Sequence, residues 1–398
     1  MGYLKNKMIE DGERGFLDIK GNVCHECFKD EYLKKFIINN ATSKKCDYCE
    51  NSSNDNIAIE FNKIMELIVK GIMFCFEDPI NEIPYDSEEG GYMAPISDTW
   101  DIIDDLDITE DNNVKEKIVN SIQNESWVKN GYYSGSESEI FLNAWDNFKN
   151  IVKYKRRYTF LSKTNDYAII NSSNFLNELI NYTERLSPIK IIKVFGETER
   201  IYRARIDKEY YQNAKNLGSP GIDNAKANRM SPAGIPMFYG AFDKETCVKE
   251  IICPNKTREE NKISIGIFQP VRNLCFLDLS MLSSIPMPSI FDIANQRTIH
   301  PLKFFSEFSK DIAKDTGHDN SKNLEYIPTQ IITEFFRYEY KTKDGNSIDG
   351  IIYESSKNKG HQSCVIFCEN DQVYDINNAE PRKNCMLKLL DSIHKTFD

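Results

Sequence analysis

The sequence has 398 residues, of which 40% are hydrophobic and 28% charged, a composition typical of folded domains. Its 50 Lys and Arg against 61 Asp and Glu give a net charge of −11, which argues against nucleic acid as a partner. No run of 18 apolar residues occurs, so we expect no transmembrane helix and no membrane partner. The first residues lack the apolar core of a signal peptide, which predicts a cytoplasmic protein.

Two cysteine pairs stand near the N-terminus, Cys24 with Cys27 and Cys46 with Cys49. Zn²⁺ binds four thiolates in a tetrahedron, and a two-residue spacer lets both thiolates of a pair face one ion. The distance between the pairs along the chain also matches known zinc sites. We therefore predict a structural zinc site whose four filled positions leave none for catalysis. A redox dithiol would need only one pair beside a βαβ unit, and we interpret His25 as a bystander.

The residues after a polar break at 51–56 have helical periodicity. Apolar side chains recur every three or four residues within 59–76, 138–152 and 174–186, which predicts helices. Residues 77–113 are acidic and look irregular, and Ser187 and Pro188 are helix-stop signals. We predict a four-cysteine zinc knuckle over residues 1–56 and a helical domain over residues 57–188.

The chain changes character after residue 188. Segments rich in Ile, Val and Tyr, such as "IKIIKVF", "ERIYRARI" and "KISIGIFQPV", predict strands. Between them, "PLKFFSEFSKDIAK" and "IPTQIITEFFRYEY" predict helices. The predicted fold class is therefore α+β, with an N-terminal zinc knuckle and an all-helical domain followed by a mixed α/β domain over residues 189–398.

Several polar side chains in the C-terminal half stand close to apolar patterns. Arg203 and Arg205 share one face of a predicted strand, and Glu250 borders the apolar stripe of a helix capped by Asp243. Periodicity alone is also consistent with ordinary structural roles for these residues. Ordinary structural roles are equally possible for three further residues. Arg229 would be an arginine after a loop, Tyr239 a core tyrosine and Ser355 a serine at the end of a strand.

The order of short motifs in this half resembles the RES domain family, which is known from bacterial toxin–antitoxin systems. The motifs are Y-R (202–203), N-R-x-S-x-x-G (228–234), F-Y-G-A (238–241), K-E (249–250) and D-G-I-x-Y-x-S (349–355). The resemblance covers about residues 197–370. The preceding region resembles the helical region found ahead of RES domains in some bacterial proteins, which is loosely classed with HEPN domains.

The resemblance implies an ADP-ribosyltransferase-like fold and an enzyme that degrades NAD⁺, as a glycohydrolase or phosphorylase, in a toxin or an anti-phage defence effector. It assigns catalytic roles to Arg203, Glu250 and Ser355, and NAD⁺ binding to Tyr202, Arg229 and Tyr239. Because Ser356 is adjacent, either Ser355 or Ser356 could correspond to the serine of the family motif. An antitoxin or regulatory protein and a homo-oligomer are the further partners that we consider.

These residue types suit cleavage of the bond between ribose and nicotinamide. A carboxylate, here Glu250, stabilises the positive charge that builds up on the ribose. The planar forks of Arg203 and Arg229 fit diphosphate oxygens. Tyr239 offers a face on which nicotinamide can stack, and Ser355 would position the ribose or the attacking group. The chemistry needs no metal, so we expect the zinc to be remote from the NAD⁺ site.

Two features depart from the family pattern, and a third argues against ribonuclease activity. Met230 stands where the family usually has an aromatic residue, and the long span between Glu250 and Ser355 predicts an insertion around 283–325. None of the five histidines lies in the helical middle, which argues against a HEPN ribonuclease. Two alternatives stay open: an ADP-ribosyltransferase that modifies a protein or nucleic acid, and a non-enzymatic zinc-binding interaction protein.

Overall fold

The computed structural model describes residues 9, 11–159, 167–252, 262–313, 322–377 and 384–396. The chain forms two compact units, Met1–Ile140 with Pro286–His300, and Phe141–Ile285 with Pro301–Asp398. The ranges 1–56, 57–188 and 189–398 remain our prediction of the domain organisation. No helix in the described ranges is both long enough and apolar enough to cross a membrane.

The N-terminal unit is built on one long amphipathic helix. Its elements are β1 (Asn22–Cys24), α1 (Glu31–Asn40), β2 (Ala58–Glu60), α2 (Phe61–Cys75), β3 (Phe76–Glu77), β4 (Tyr85–Asp86), β5 (Gly91–Tyr92), β6 (Ser97–Asp98), α3 (Thr99–Asp105), α4 (Asn112–Ser121) and β7 (Ser126–Lys129). Ile64, Ile68 and Ile72 of α2 are fully buried, so the predicted helical stripe faces the core. The stretch 77–113, which we expected to be irregular, contains α3 and short paired strands.

Residues 286–300 come from within the predicted insertion, and they pack into this N-terminal unit. The ring of Phe291 lies so close to Gly71 of α2 that any side chain at Gly71 would collide with it. Ser289 Oγ donates a hydrogen bond to Asp30 Oδ2 at 2.9 Å. Residues 314–321 of the predicted insertion lie outside the described residues.

From residue 137 onward, helices are interspersed with the strands of one large sheet. The elements are α5 (Glu137–Tyr154), α6 (Tyr167–Arg185), β8 (Ile192–Phe195), β9 (Ile201–Asp207), α7 (Ala214–Leu217), β10 (Phe238–Ala241), α8 (Lys244–Ile251), β11 (Lys262–Pro270), β12 (Leu274–Asp278), α9 (Ile299–Ala313), α10 (Lys322–Tyr338), β13 (Gly350–Glu354), β14 (Gln362–Ile366), β15 (Val373–Asp375) and β16 (Leu387–Thr396). The helices and strands that we predicted here are confirmed, and so is the α+β fold class.

Within the described residues, nine strands form one mixed sheet in the order β15-β16-β11-β9-β10-β14-β13-β12-β8. Strands β9 and β11 pair along seven residues, whereas β9 and β10 share only the pair Tyr202 and Ala241. The sheet is therefore weakly joined at its centre, between β9 and β10.

The two faces of the sheet are buried by different groups of residues. Leu277, Ile351 and Val365 pack with an aromatic core supplied by helices α5, α6, α9 and α10. Phe238 and Phe276 belong to a second cluster on the opposite face. Because successive side chains of a strand point to opposite faces, each polar residue of β9, β10, β13 and β14 can be assigned to one face.

Candidate functional site

Helix α8 positions Glu250 over the face of the sheet that carries Ala204 and Ala241. Asp243 caps this helix, as predicted, because its Oδ1 accepts a hydrogen bond from the Thr246 N–H at 2.8 Å. Buried Cys247 of α8 packs against both alanines. The cap and this packing fix the direction in which Glu250 leaves the helix.

Two serine hydroxyls converge on the Glu250 carboxylate. Ser355 Oγ donates to Glu250 Oε1 at 2.5 Å, and Ser363 Oγ donates to the same oxygen at 3.2 Å. Ser355 Oγ in turn accepts the N–H groups of Lys357 at 3.3 Å and Asn358 at 3.0 Å. With its acceptor positions taken by these donors, the single Ser355 proton is directed at Glu250. The two hydroxyl bonds therefore fix the position of Oε1 beside β13 and β14.

Sequence reasoning missed Ser363 and Asn358. Ser363 lies on β14 beside β13, in a stretch whose residues 363–366 are all buried, so a polar residue within a predicted apolar strand was the available signal. Asn358 joins the loop after β13 to α8, because its Nδ2 donates to Thr246 Oγ1 at 2.7 Å and its Oδ1 accepts from Lys249 Nζ at 2.9 Å. No periodic pattern marks such a loop residue.

Tyr239 lies on β10 with its hydroxyl anchored to the loop that precedes the strand. Tyr239 Oη is 3.0 Å from Ser231 Oγ and accepts the Met230 N–H at 3.3 Å. Burial raises the pKa of Tyr239 to about 12, so the phenol is neutral at physiological pH. Met230 is buried in the core at the position where we noted a departure from the family.

Tyr353 is a second tyrosine near the carboxylate, and it was not among the predicted site residues. It lies on β13, two residues before Ser355. Burial and then the negative charge of Glu250 raise the pKa of Tyr353 well above its ordinary value of 10.0. Glu250 therefore lies within electrostatic range of a neutral phenol.

Arg203 contacts the backbone of Tyr239. Its Nη1 donates to the Tyr239 carbonyl at 2.5 Å, and its guanidinium lies 5.3 Å from the centre of the Phe238 ring. Burial and then the neighbouring Arg205 lower the pKa of Arg203 to about 9, which leaves it charged at neutral pH. Arg203 leaves β9 on the side of Phe238, and its guanidinium reaches the edge of β10, within electrostatic range of Tyr239 and Tyr353. These two tyrosines lie on the face of the sheet where Glu250 lies. The structure thus links Arg203 to Tyr239 at the weak β9–β10 junction.

The other two predicted NAD⁺-binding residues have contacts of their own. Arg229 Nη1 donates to the carbonyl of Ile312 near the end of α9, and Arg229 lines a cavity of about 420 Å³ with Lys149 and Lys153. Tyr202 packs on the Ala204 side of β9. Of the predicted residues, Glu250 and Ser355 therefore bond directly, and Arg203 contacts Tyr239.

The four predicted metal ligands Cys24, Cys27, Cys46 and Cys49 form one cluster, with all sulfurs within 4.8 Å of one another. Three sulfur–sulfur distances are 3.7, 3.4 and 3.8 Å. A tetrahedral ion with metal–sulfur bonds of about 2.3 Å requires sulfurs about 3.8 Å apart. Hydrogen bonding with Cys27 lowers the pKa of Cys24 to about 5. The cluster could therefore hold a metal ion, and His25 is not part of it.

Comparison with family models identifies the class of protein. Residues 200–383 match the RES domain, and residues 39–166 match HEPN/RES N-terminal domain 1. The chain therefore carries a HEPN/RES N-terminal domain followed by a RES domain, which confirms the resemblance drawn from the motifs. No curated protein and no solved structure matches the chain. A RES domain is consistent with an enzyme that acts on NAD, in a toxin or defence role.

Proposed function

We propose that this protein cleaves the bond between ribose and nicotinamide in NAD⁺, and that it acts as a bacterial toxin or anti-phage defence effector. The observation that supports this most directly is the Glu250 carboxylate, held by the hydroxyls of Ser355 and Ser363 inside a RES domain. A half-buried carboxylate whose position is fixed by two hydroxyl bonds is suited to stabilise a cation that develops beside it.

In the proposed reaction the ribosyl carbon–nitrogen bond breaks and nicotinamide leaves with the bonding electron pair. The ribose then carries oxocarbenium character, as in glycoside hydrolysis. Both serines bond Oε1 of Glu250, so we assign Oε2 to the ribose. Water or inorganic phosphate adds to the anomeric carbon, which distinguishes a glycohydrolase from a phosphorylase, and the attacking group loses a proton.

The remaining assignments follow from the chemistry of each side chain. Tyr239 is neutral and supplies a flat ring for nicotinamide. Arg203 and Arg229 supply forked donors for the diphosphate. Ser355 fixes the carboxylate, and Tyr202 contributes to the wall of the NAD⁺ site. Each of these roles is part of the proposal.

We assign zinc to the four-cysteine cluster. Four thiolates at tetrahedral spacing are the donor set of structural zinc sites. With four protein ligands the ion has no open position for substrate, so its contribution is to the folding of the segments that carry Cys24 to Cys49. No step of NAD⁺ cleavage depends on it in this proposal.

NAD⁺ turnover by the purified full-length protein tests the function. We expect nicotinamide release with ADP-ribose as the second product, or with its 1-phosphate when phosphate is supplied. Label from NAD⁺ appearing on a protein or nucleic acid would instead support the ADP-ribosyltransferase alternative. Intact NAD⁺ after incubation with folded, metal-loaded protein would refute the enzyme, and the interaction-protein alternative would take its place.

The toxin role needs a test in cells. Induced expression of the wild-type chain is expected to lower cellular NAD⁺ before growth stops, because the substrate is shared by central metabolism. The Glu250→Gln protein, expressed to the same level, should do neither. If both proteins arrest growth, NAD⁺ cleavage is not the cause of the toxicity, and this part of the proposal is contradicted.

A further inference from the structure

Residues 228–231 form a closed turn that contains Arg229 and contacts the hydroxyl of Tyr239. Residues Asn228 and Ser231 exchange backbone hydrogen bonds, at 2.8 Å from the Asn228 N–H and 3.3 Å from the Ser231 N–H. The Tyr239 hydroxyl bonds the Ser231 hydroxyl and the Met230 N–H. The position of this turn therefore sets the position of the Tyr239 phenol.

Helix α10 bonds the outer side of the same turn with two consecutive side chains. Gln330 Nε2 donates to the Asn228 carbonyl at 2.7 Å and to the Ser231 carbonyl at 3.1 Å. Thr329 Oγ1 lies 2.6 Å from the Arg229 carbonyl. Gln330 is only 9% exposed and Thr329 only 6%, so these bonds are largely shielded from water and are costly to lose.

We propose that Thr329 and Gln330 are positioning residues for NAD⁺ binding, an inference that rests on the proposed function. The three bonds hold the backbone of the turn at Asn228, Arg229 and Ser231. Through the turn they fix the Arg229 side chain and the Tyr239 hydroxyl, which are both assigned to bound NAD⁺. Neither Thr329 nor Gln330 belongs to a motif by which we related the sequence to its family.

Steady-state kinetics of matched variants separate positioning from catalysis. Thr329→Val keeps the shape and removes the hydroxyl, Thr329→Ser keeps the hydroxyl, and Gln330→Leu removes both amide donors. We expect Thr329→Val and Gln330→Leu to raise KM for NAD⁺ about tenfold, the size of one or two lost hydrogen bonds. The kcat should change less than about threefold, because Arg229 and Tyr239 bind the ground state and the transition state alike. Thr329→Ser should retain the wild-type KM.

Thr333→Val provides the control for general damage to α10. Thr333 is buried on the same helix, and its hydroxyl donates to the Thr329 carbonyl at 2.8 Å, within the helix itself. We expect this variant to lower Tm about as much as Thr329→Val does but to leave KM unchanged. An equal rise of KM in Thr333→Val would overturn the inference, since helix stability alone would then explain the effect.

Hydrogen exchange provides a readout that does not depend on activity. In the full-length protein, peptides covering residues 226–238 should exchange faster in Gln330→Leu than in Thr333→Val. Unchanged exchange, or an unchanged KM in an active enzyme, overturns the inference while the proposed function stands. If the wild-type protein does not turn over NAD⁺, the proposed function is refuted, and the positioning role, which depends on it, is refuted as well.

Discussion

Ser355 Oγ and Glu250 Oε1 lie 2.5 Å apart although 105 residues separate them in the sequence. The sheet explains how they meet. Strand β14 lies between β10 and β13, and α8, which carries Glu250, begins directly after β10. Ser355 follows the last residue of β13, and Ser363 on β14 completes the set of donors. A pair so distant in sequence depends on the whole central sheet, and several of our predictions rest on it.

The first prediction concerns the carboxylate itself. Replacing Glu250 by Gln keeps its shape and removes its charge, so the oxocarbenium-like transition state loses its stabilising anion. We expect NAD⁺ turnover to fall by about two orders of magnitude or more, as for other electrostatic stabilisers, with an unchanged fold by circular dichroism. The measurement is kcat/KM from nicotinamide release.

Glu245→Gln is the matched control for that variant. Glu245 lies on the same helix, and its side chain is exposed and paired with Lys249. We expect its activity to stay within about twofold of wild type, since exposed ion pairs contribute little. Full activity of folded Glu250→Gln protein would remove the central assignment of the site.

The second prediction distinguishes two adjacent serines. Ser355 Oγ bonds Glu250 and accepts two backbone N–H groups, so Ser355→Ala frees the carboxylate and leaves those donors unpaired. We expect a loss of about tenfold or more in kcat/KM, since a charged hydrogen bond is worth more than a neutral one. Ser356→Ala should behave like wild type. The opposite ranking would move the family serine to Ser356.

Local patterns made much of the fold predictable. The helical spacing of α2 and the strand character of β9 each depend on residues close in sequence, and both elements occur where the sequence indicated. The cysteine spacing likewise predicted that Cys24 and Cys46 belong to one site, and the two residues lie in one cluster. In each case one short segment carries the whole signal.

Contacts between distant segments could not be predicted in the same way. Periodicity left Glu250 as a boundary residue, and only the motif order assigned it a role. That Arg203 contacts the Tyr239 carbonyl follows from the single residue pair between β9 and β10. Strand pairing of this kind is set by tertiary packing rather than by local propensity. The same reason explains why Ser363 was missed.

The third prediction concerns the metal. We expect the purified protein to contain about one zinc ion per chain by elemental analysis, and Cys46→Ser to lose it. Because metal binding and folding are coupled in such sites, a strong chelator should lower Tm of the wild-type protein. The Cys46→Ser variant should already have this lowered Tm, and chelator should shift it no further.

Cys275→Ser is the control for the metal prediction. Cys275 is a free, partly buried cysteine on β12, outside the cluster, so its loss should leave the zinc content unchanged. A wild-type protein isolated without metal, whose Tm is indifferent to added zinc and to chelator, would contradict the assignment of the cluster.

The last prediction concerns the cap of α8 and its dependence on pH. Burial would raise the pKa of Asp243, but the bonds from Thr246 and then from His361 outweigh it and hold this pKa below the ordinary value of 3.8. A carboxylate with a lowered folded pKa stabilises the protein above its unfolded pKa, and the contribution is lost as pH falls through the folded value. Asp243→Ala should therefore cost about 1 kcal/mol at pH 7 and less at about pH 3.

Asp243→Asn separates the charge from the cap. The amide oxygen can still accept the Thr246 N–H but does not titrate, so the stability gap between wild type and Asn should narrow as the pH is lowered from about 5 to about 3. Urea unfolding at several pH values measures this gap. Because α8 carries Glu250, kcat/KM at pH 7 should fall in the Ala variant and be largely retained in the Asn variant. Equal activity of the two would show that Glu250 is held by its serine bonds and the packing of α8 without help from the cap.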